Sequence, residues 1–297
     1  MTGFIFLDKP KDITSFVAAN RIKRIAQVKK TGHTGTLDPM ATGVLPIMLG
    51  GATRFSQYLP THDKAYRAKV LLGTVTDTLD ITGQILEKND VDVTVQRLEE
   101  VISLFVGKIS QLPPMYSAVS KDGVRLYKLA RQGIEIEREA RDVIIHYIKL
   151  IDVPDNGNEF EIEVSCSVGT YIRSLAADIG EKLGCGATIT ELRRINANGI
   201  GIEQTLTLEA VQKIADEGRL NEIITPCDEM LKCYPEINIS EKQTIRFENG
   251  GDLDLKRIKG EKADGFCRVY SPEKKFLGLG KISLADGAMY VEKKLIY

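Results

Sequence analysis

Hydrophobic positions along this 297-residue chain recur with two different periods. Short apolar runs at residues 4–7, 44–49 and 66–72 have the length and composition of buried strands. Two longer β-rich runs, 143–153 and 160–165, flank Pro154-Asp155-Asn156-Gly157-Asn158, which reads as a hairpin turn. A helical period appears over 15–26, with Phe16, Ala19, Ile22 and Ile25 on one stripe and Thr14 placed to cap it. It reappears over 94–105, where Leu98, Val101, Ile102 and Phe105 line up. Residues 171–183 predict a helix ended by Gly184, and 208–217 one capped by Thr207 and stopped by Gly218. Beyond about 235 the segments shorten between Gly250, Gly251, Gly260, Gly265, Gly278, Gly280 and Gly287, the mark of a small β-rich module. The pattern predicts an α+β chain with a large domain over 1–235 and a small one over 236–297.

The periodicity breaks at Gly32-His33-Thr34-Gly35-Thr36-Leu37-Asp38-Pro39-Met40-Ala41-Thr42-Gly43. Glycines permit positive φ and close approach to a ligand, while Pro39 fixes φ and removes a donor. The residue before a proline is pushed towards extended geometry, so the Asp38 carboxylate is expected to project from the edge of a stiff loop. Taken alone, such a stretch also suits a turn whose aspartate bonds its own backbone. Residues elsewhere have to decide.

Composition narrows the possibilities. The content is 43% hydrophobic, enough for a sizeable core, and no apolar run approaches the ~20 residues of a membrane span. No secretory pattern opens the chain, so a cytoplasmic protein without a membrane partner is expected. Cys166, Cys185, Cys227, Cys233 and Cys267 are odd in number and lack C-x-x-C spacing, which points to buried free thiols. His33, His62 and His146 are few and scattered, so no metal is expected. The net charge is −1, yet it is unevenly spread. Residues 1–61 hold eight basic side chains against three acidic, whereas 73–104 hold two against seven. A basic portion around the glycine-rich loop is what an RNA-facing surface requires.

The loop GHTGTLDPMATGVL resembles the catalytic loop of the TruB family of tRNA pseudouridine synthases. Lys64-Ala65-Tyr66-Arg67, Gly169-Thr170-Tyr171-Ile172-Arg173 and Leu192-Arg193-Arg194 follow in the family's order. Leu7-Asp8-Lys9-Pro10 and Pro113-Pro114-Met115-Tyr116-Ser117-Ala118 fit it too, so the resemblance runs from near residue 5 to near residue 200. It implies a mixed, largely antiparallel catalytic sheet and a PUA-like RNA-binding domain at the carboxy end. The activity implied is isomerisation of uridine to pseudouridine at position 55 in the T loop of tRNA. By the same resemblance Asp38 is the nucleophile, Tyr66 lies against the target base, His33 enters the RNA loop, and Tyr171 and Leu192 wall the pocket.

The residue chemistry is compatible with that assignment. Exchanging an N-glycosidic bond for a C-glycosidic one involves no net redox change and no hydrolysis, so no cofactor is expected. A held, ionised carboxylate can attack C1′ or C6, or assist loss of a 2′ proton. Arg173 is the natural partner, because a guanidinium favours the charged form of a carboxylate and orients it. A tyrosine hydroxyl titrates near ~10, so Tyr66 is better suited to stacking than to proton removal. The target nucleotide has to be everted at a cost of about a few kcal/mol. Lys9, Lys29, Lys30, Arg193 and Arg194 are candidate phosphate contacts. The expected partner is the T stem-loop of tRNA, bound by a monomer.

Two other classes compete. Gly32-His33-Thr34-Gly35 fits the G-x-x-G clamp of a non-catalytic RNA-binding module, which has no use for Asp38. A glycoside hydrolase needs a second acid near Asp38, and Asp77 and Asp80 sit in an acidic stretch that reads as solvated.

Overall fold

The computed structural model describes every residue except 61–62, 118, 122, 154–157 and 296–297, together with the side chain of Lys121. The turn expected at Pro154-Asp155-Asn156-Gly157 therefore lies outside the described residues, as does His62. In chain order the elements begin with β1 (Gly3–Lys9), α1 (Ser15–Ile25), β2 (Thr31–His33), β3 (Thr42–Leu49) and β4 (Lys64–Leu72). A small hairpin, β5 (Thr74–Thr76) and β6 (Ile85–Lys88), leads to α2 (Val95–Ser103) and β7 (Gly107–Gln111). Next come β8 (Ser120–Lys121), β9 (Val124–Arg125) and α3 (Leu126–Ala130). The long strands β10 (Arg141–Asp152) and β11 (Glu159–Cys166) precede α4 (Ile172–Leu183), β12 (Ala187–Ala197), β13 (Ile200–Gly201) and α5 (Leu208–Asp216).

One nine-stranded sheet organises this region, in the order β1-β3-β12-β4-β11-β10-β7, with β2 beside β3 and β13 beside β12. Every pairing is antiparallel except β3 with β12, so the mixed, largely antiparallel α+β expectation is borne out. The parallel junction matters most for the site. It brings Arg193 opposite Thr42 and Arg194 opposite Gly43, joining the end of the glycine-rich loop to the Leu192-Arg193-Arg194 block. Gly43 has φ +102°, and a Cβ there would stand 2.1 Å from the Arg194 carbonyl oxygen. Only glycine lets the two backbones meet at that point.

Local signals in the helices act as the sequence predicts. Thr14 and Thr207 each cap a helix by accepting from a backbone N–H three residues on, as Thr94 does without having been singled out, and Gly184 ends α4 in the left-handed region at φ 84°. The apolar stripe of α1 differs from the expected one. Ser15, Ala18, Ala19 and Ile22 face the core while Phe16 is 70% exposed. Small residues let α1 lie close against β2 and β3, and that approach turns Phe16 outward.

A second, five-stranded sheet follows. Its strands are β14 (Glu236–Asn238), β15 (Leu253–Asp254), β16 (Gly265–Tyr270), β17 (Phe276–Ser283) and β18 (Ala288–Lys294), ordered β14-β16-β17-β18-β15, with α6 (Glu241–Glu248) between β14 and β15 in the chain. The helix α6 was not legible as such, because its only buried residue is Phe247. A separate apolar cluster including Ile237, Phe247, Val269 and Ile282 supports this sheet. A further cluster bridges the two sheets, joining Phe4, Phe55 and Tyr58 to Tyr270, Phe276 and Leu279. Of the five cysteines, four are buried free thiols and Cys233 is exposed.

Candidate active site

The glycine-rich loop is held from three sides through its backbone. The Ser15 hydroxyl accepts from the Leu37 N–H at 2.8 Å and donates to the Leu37 carbonyl at 3.0 Å. Lys9 Nζ donates to the carbonyls of Pro10 and Ile13, both at 2.8 Å, and to that of Pro39 at 3.2 Å. Arg194 Nε donates to the Val44 carbonyl at 2.8 Å and Nη2 to the Gly35 carbonyl at 2.9 Å. Both cations are fully buried. This corrects their assignment as surface RNA contacts: Lys9 is consumed in fixing the loop, and Arg194 spends Nε and Nη2 there, leaving only a buried Nη1 uncommitted. Burial pushes the Lys9 ammonium down to about 8, while the nearby Asp38 and Asp12 charges pull it back up.

The structure brings Asp38 and Arg173 together. Arg173 enters from the first turn of α4, whose start is set by Gln111, its side-chain oxygen accepting from the Tyr171 N–H at 3.0 Å. The guanidinium is nearly buried and donates from Nη1 to the Thr78 carbonyl at 2.9 Å and from Nη2 to the Tyr116 carbonyl at 2.7 Å. With those contacts in place, Nη2 stands 3.0 Å from Asp38 Oδ2. The Asp38 side chain keeps 36% of its surface exposed, so the carboxylate is partly walled by protein yet reachable from solvent.

Asp80, read from the sequence as solvated, is buried within this constellation. Its Oδ2 lies 3.7 Å from Arg173 Nη1, and its Oδ1 accepts from the Thr78 hydroxyl at 2.9 Å and the Thr82 N–H at 3.0 Å. Arg173 thus sits between two carboxylates. The acidic run 73–104 concealed this, since charge density along the chain says nothing about which member turns inward. Asp38 is consequently held above the usual carboxylate range. Desolvation is the largest cause, Arg173 and Lys9 oppose it, and Asp80 adds to it. The occupied Oδ1 of Asp80 leaves no place for it as the second acid of a glycoside hydrolase.

Tyr66 belongs to the inward-facing set of β4 with Ala68, Val70 and Leu72, and stands opposite Arg194 on β12. Burial raises its hydroxyl above the ordinary phenol range, the charge and hydrogen bond of Arg194 oppose that, and the Asp38 charge adds a little to it. That favours a neutral aromatic surface. Leu192 is buried in the same apolar cluster, opposite Ala68, and Tyr171 is half-buried at the cap of α4. His33 ends β2, opposite Ile47, half-buried, with Nδ1 lacking a hydrogen-bond partner. Burial and the Arg194 charge lower its pKa, so the ring is neutral at physiological pH. Arg193 stays partly exposed while pairing with Asp8 at 2.7 Å, and Lys29 and Lys30 are exposed. A cleft of about 410 Å³ opens beside Tyr116, lined also by Val75, Leu79, Leu86, Met115 and Ile134. Among the described residues no three His, Cys, Asp or Glu side chains gather as a metal site. No helix there is long and apolar enough to cross a membrane.

Comparison with known proteins agrees with this geometry. Residues 23–172 match the model of the TruB family pseudouridylate synthase N-terminal domain. Residues 173–232 match the tRNA pseudouridylate synthase B C-terminal domain, and 235–288 the pseudouridine synthase II TruB C-terminal domain. The chain is 45% identical to tRNA pseudouridine synthase B of Clostridium tetani over 95% of its length and 96% of that protein. It is 41% identical to the protein of the same name from Escherichia coli K12, over 95% of this chain and 91% of that one. Among solved structures, a chain of a Cbf5-Nop10-Gar1 complex superposes with a TM-score of 0.72 at 28% identity, covering 99% of this chain and 85% of that chain. A chain of an H/ACA RNP bound to a substrate RNA containing 2′-deoxyuridine gives a TM-score of 0.71 at 26% identity, with the same coverage. The paired Asp38 and Arg173, the loop that holds them and the match along nearly the whole chain lead to one conclusion: this protein belongs to the TruB family of pseudouridine synthases.

Proposed function

We propose that the chain converts uridine to pseudouridine at position 55 in the T loop of tRNA, with Asp38 as nucleophile on an everted nucleotide. The observation that carries this reading is the 3.0 Å pairing of a reachable Asp38 carboxylate with a nearly buried Arg173 guanidinium. Relatives named tRNA pseudouridine synthase B support tRNA as the substrate class. In the reaction the N1–C1′ bond breaks, the uracil turns, and C5 bonds to C1′. The C5 proton is then lost and N1 gains one, so atoms and electrons balance without any cofactor.

Within this reading Arg173 keeps Asp38 ionised and aimed. Tyr66 supplies the aromatic face against the base, Tyr171 and Leu192 wall the pocket, and His33 replaces lost stacking in the RNA loop. The exposed Lys29 and Lys30 and the half-free Arg193 meet backbone phosphates. The catalytic domain ends near residue 235, and the five-stranded PUA-like module at 236–297 adds RNA contact. The protein works as a monomer in the cytoplasm. A non-catalytic G-x-x-G clamp is disfavoured because it leaves the Asp38–Arg173 pair without a role.

The test is release of label from C5 of uridine in a T stem-loop transcript. Wild type is expected to release it, and Asp38→Asn to bind the RNA and release none. Equal release by both proteins would overturn the assignment.

A further inference from the structure

Lys64 and Arg194 form a pair of cations with no anion between them. Lys64 opens β4, two residues before Tyr66, and Arg194 faces Tyr66 from β12. No carboxylate acts on either at close range, and the dominant nearby charge felt by Lys64 is Arg194 itself, which with burial drives the ammonium pKa down. Two of the Arg194 nitrogens are spent on loop carbonyls and the Tyr66 hydroxyl lies close enough to favour its charge, but Nη1 is buried without a hydrogen bond of good geometry. A buried donor left unsatisfied and like charges left unneutralised are each costly, which suggests a missing counter-ion.

The place for it is marked by Gly35. This glycine is exposed, has φ +65°, and a Cβ built on it would stand 3.2 Å from Arg194 Nη1 and 3.3 Å from Lys64 Nζ. The bare face of its α-carbon is thus bordered by two cationic N–H donors, and no side chain occupies it. Lys64 is half-buried, and the residue borders a cleft of about 400 Å³ with Tyr147, Ser165 and Asn196. Of the carboxylates in that cleft, Asp63 is engaged by His146 Nε2 at 2.9 Å and Glu203 packs against Gly201. A singly charged tetrahedral oxyanion suits two converging donors over an open glycine.

We propose that Lys64, backed by Arg194 Nη1, seats a backbone phosphodiester next to the everted nucleotide, over the open face of Gly35. Gly35 is three residues from Asp38 on the same loop, which makes a linkage flanking the reacting nucleoside the one within reach. Lys64 is the contact made from solvent, and drawing it outward onto the phosphate uncovers Nη1 as the second donor. This rests on the reading that the enzyme acts on an everted uridine in RNA.

The test uses three T stem-loop RNAs: one native, and two carrying a single neutral methylphosphonate linkage on the 5′ or the 3′ side of the target uridine. Kd is measured for the full-length wild type, Lys64→Met and Lys64→Arg. Lys64→Met is expected to weaken native RNA about tenfold, as loss of a charge-assisted contact does. One neutral linkage should weaken wild type by a similar factor and add nothing to Lys64→Met, while Lys64→Arg keeps most of the affinity. The slope of log K against log salt should drop by about 0.7 in Lys64→Met, the share of a single phosphate on a single strand. Unchanged affinity in Lys64→Met, or losses that simply add for both linkages, would overturn the seat. If Lys64→Met does not fold, wild type decides alone: indifference to both neutral linkages sinks the proposal. C5 label release by wild type is followed in parallel. Binding with linkage dependence but no release would sink the parent reading and spare the seat, release without coupling would do the reverse, and no binding at all would sink both.

Discussion

Asp38 Oδ2 stands 3.0 Å from Arg173 Nη2, and the same nitrogen donates to the Tyr116 carbonyl. The guanidinium is thereby immobilised before it meets the carboxylate, with Nη1 tied to Thr78. A lysine at this position would preserve charge but lose the planar fork that makes these contacts together. Arg173→Lys is expected to lower the single-turnover rate about 10²- to 10³-fold, on the scale of removing one preorganised donor. RNA affinity should change little, and a wild-type rate in the variant would contradict the pairing's role.

Asp38 is held above its ordinary value of 3.8, mainly by desolvation and partly by Asp80. If the ionised form is the reactive one, activity rises with pH through that elevated pKa and fails on the acid side of it. Asp80→Asn removes an anion that raises Asp38, so the acid limb should move to lower pH. A pH–rate profile on a stem-loop substrate checks the direction; a shift upward would mean that Asp80 acts mainly by holding Arg173.

The same elevation has a consequence for stability. A carboxyl whose folded pKa exceeds its unfolded one contributes stability that is fully present below 3.8 and is lost as pH rises through the folded value. Above 3.8 the Asp38 carboxyl is therefore increasingly a burden on the fold. Asp38→Asn, which resembles the protonated acid, should melt at a higher temperature than wild type at pH 7 and at the same temperature near pH 3. Calorimetry at the two pH values reads this directly.

Lys9 serves three carbonyls, including that of Pro39 beside Asp38, through bonds that are themselves part-buried. Lys9→Met keeps the aliphatic stem and removes the donor, leaving those acceptors unsatisfied. The expected cost is about 1–3 kcal/mol for each buried group left without a partner, softened where water can enter. Denaturant unfolding should show it as a clear fall in midpoint, and an unchanged midpoint would mean that the ammonium is not what ties the loop.

The bridging cluster predicts that the carboxy-terminal sheet cannot be removed cleanly. Phe276 packs against Phe55 at 5.9 Å and Tyr270 at 5.5 Å between ring centroids, and Tyr234 donates to the Tyr58 carbonyl at 2.8 Å. Phe276→Ala is expected to destabilise by about 3–5 kcal/mol. The RNA role of the module is better tested on its exposed Lys256, Arg257 and Lys259. Replacing all three with alanine should weaken binding of full-length tRNA and flatten its salt dependence, while turnover at saturating RNA stays near wild type.

Much of this protein was legible without coordinates, because the relevant physics is local. Thr14 and Thr207 cap their helices through bonds spanning three residues, and Gly184 supplies a left-handed turn. The Gly32–Gly43 loop announced a constrained aspartate for the same reason: proline and glycine act on their own backbone. What depended on distant segments was read less well. Lys9 and Arg194 looked like surface cations until the parallel pairing of β3 with β12 and the fold-back of Pro39 enclosed them. Asp80 looked solvated until Arg173, arriving from α4, gave its charge a partner. Phe16 looked buried until the small side chains of α1 drew the other face inward. Sequence determined the elements and the constrained Gly32–Gly43 loop, since those follow from neighbours along the chain. Tertiary structure alone decided which charges are buried and what faces them, since burial depends on packing between segments far apart in sequence.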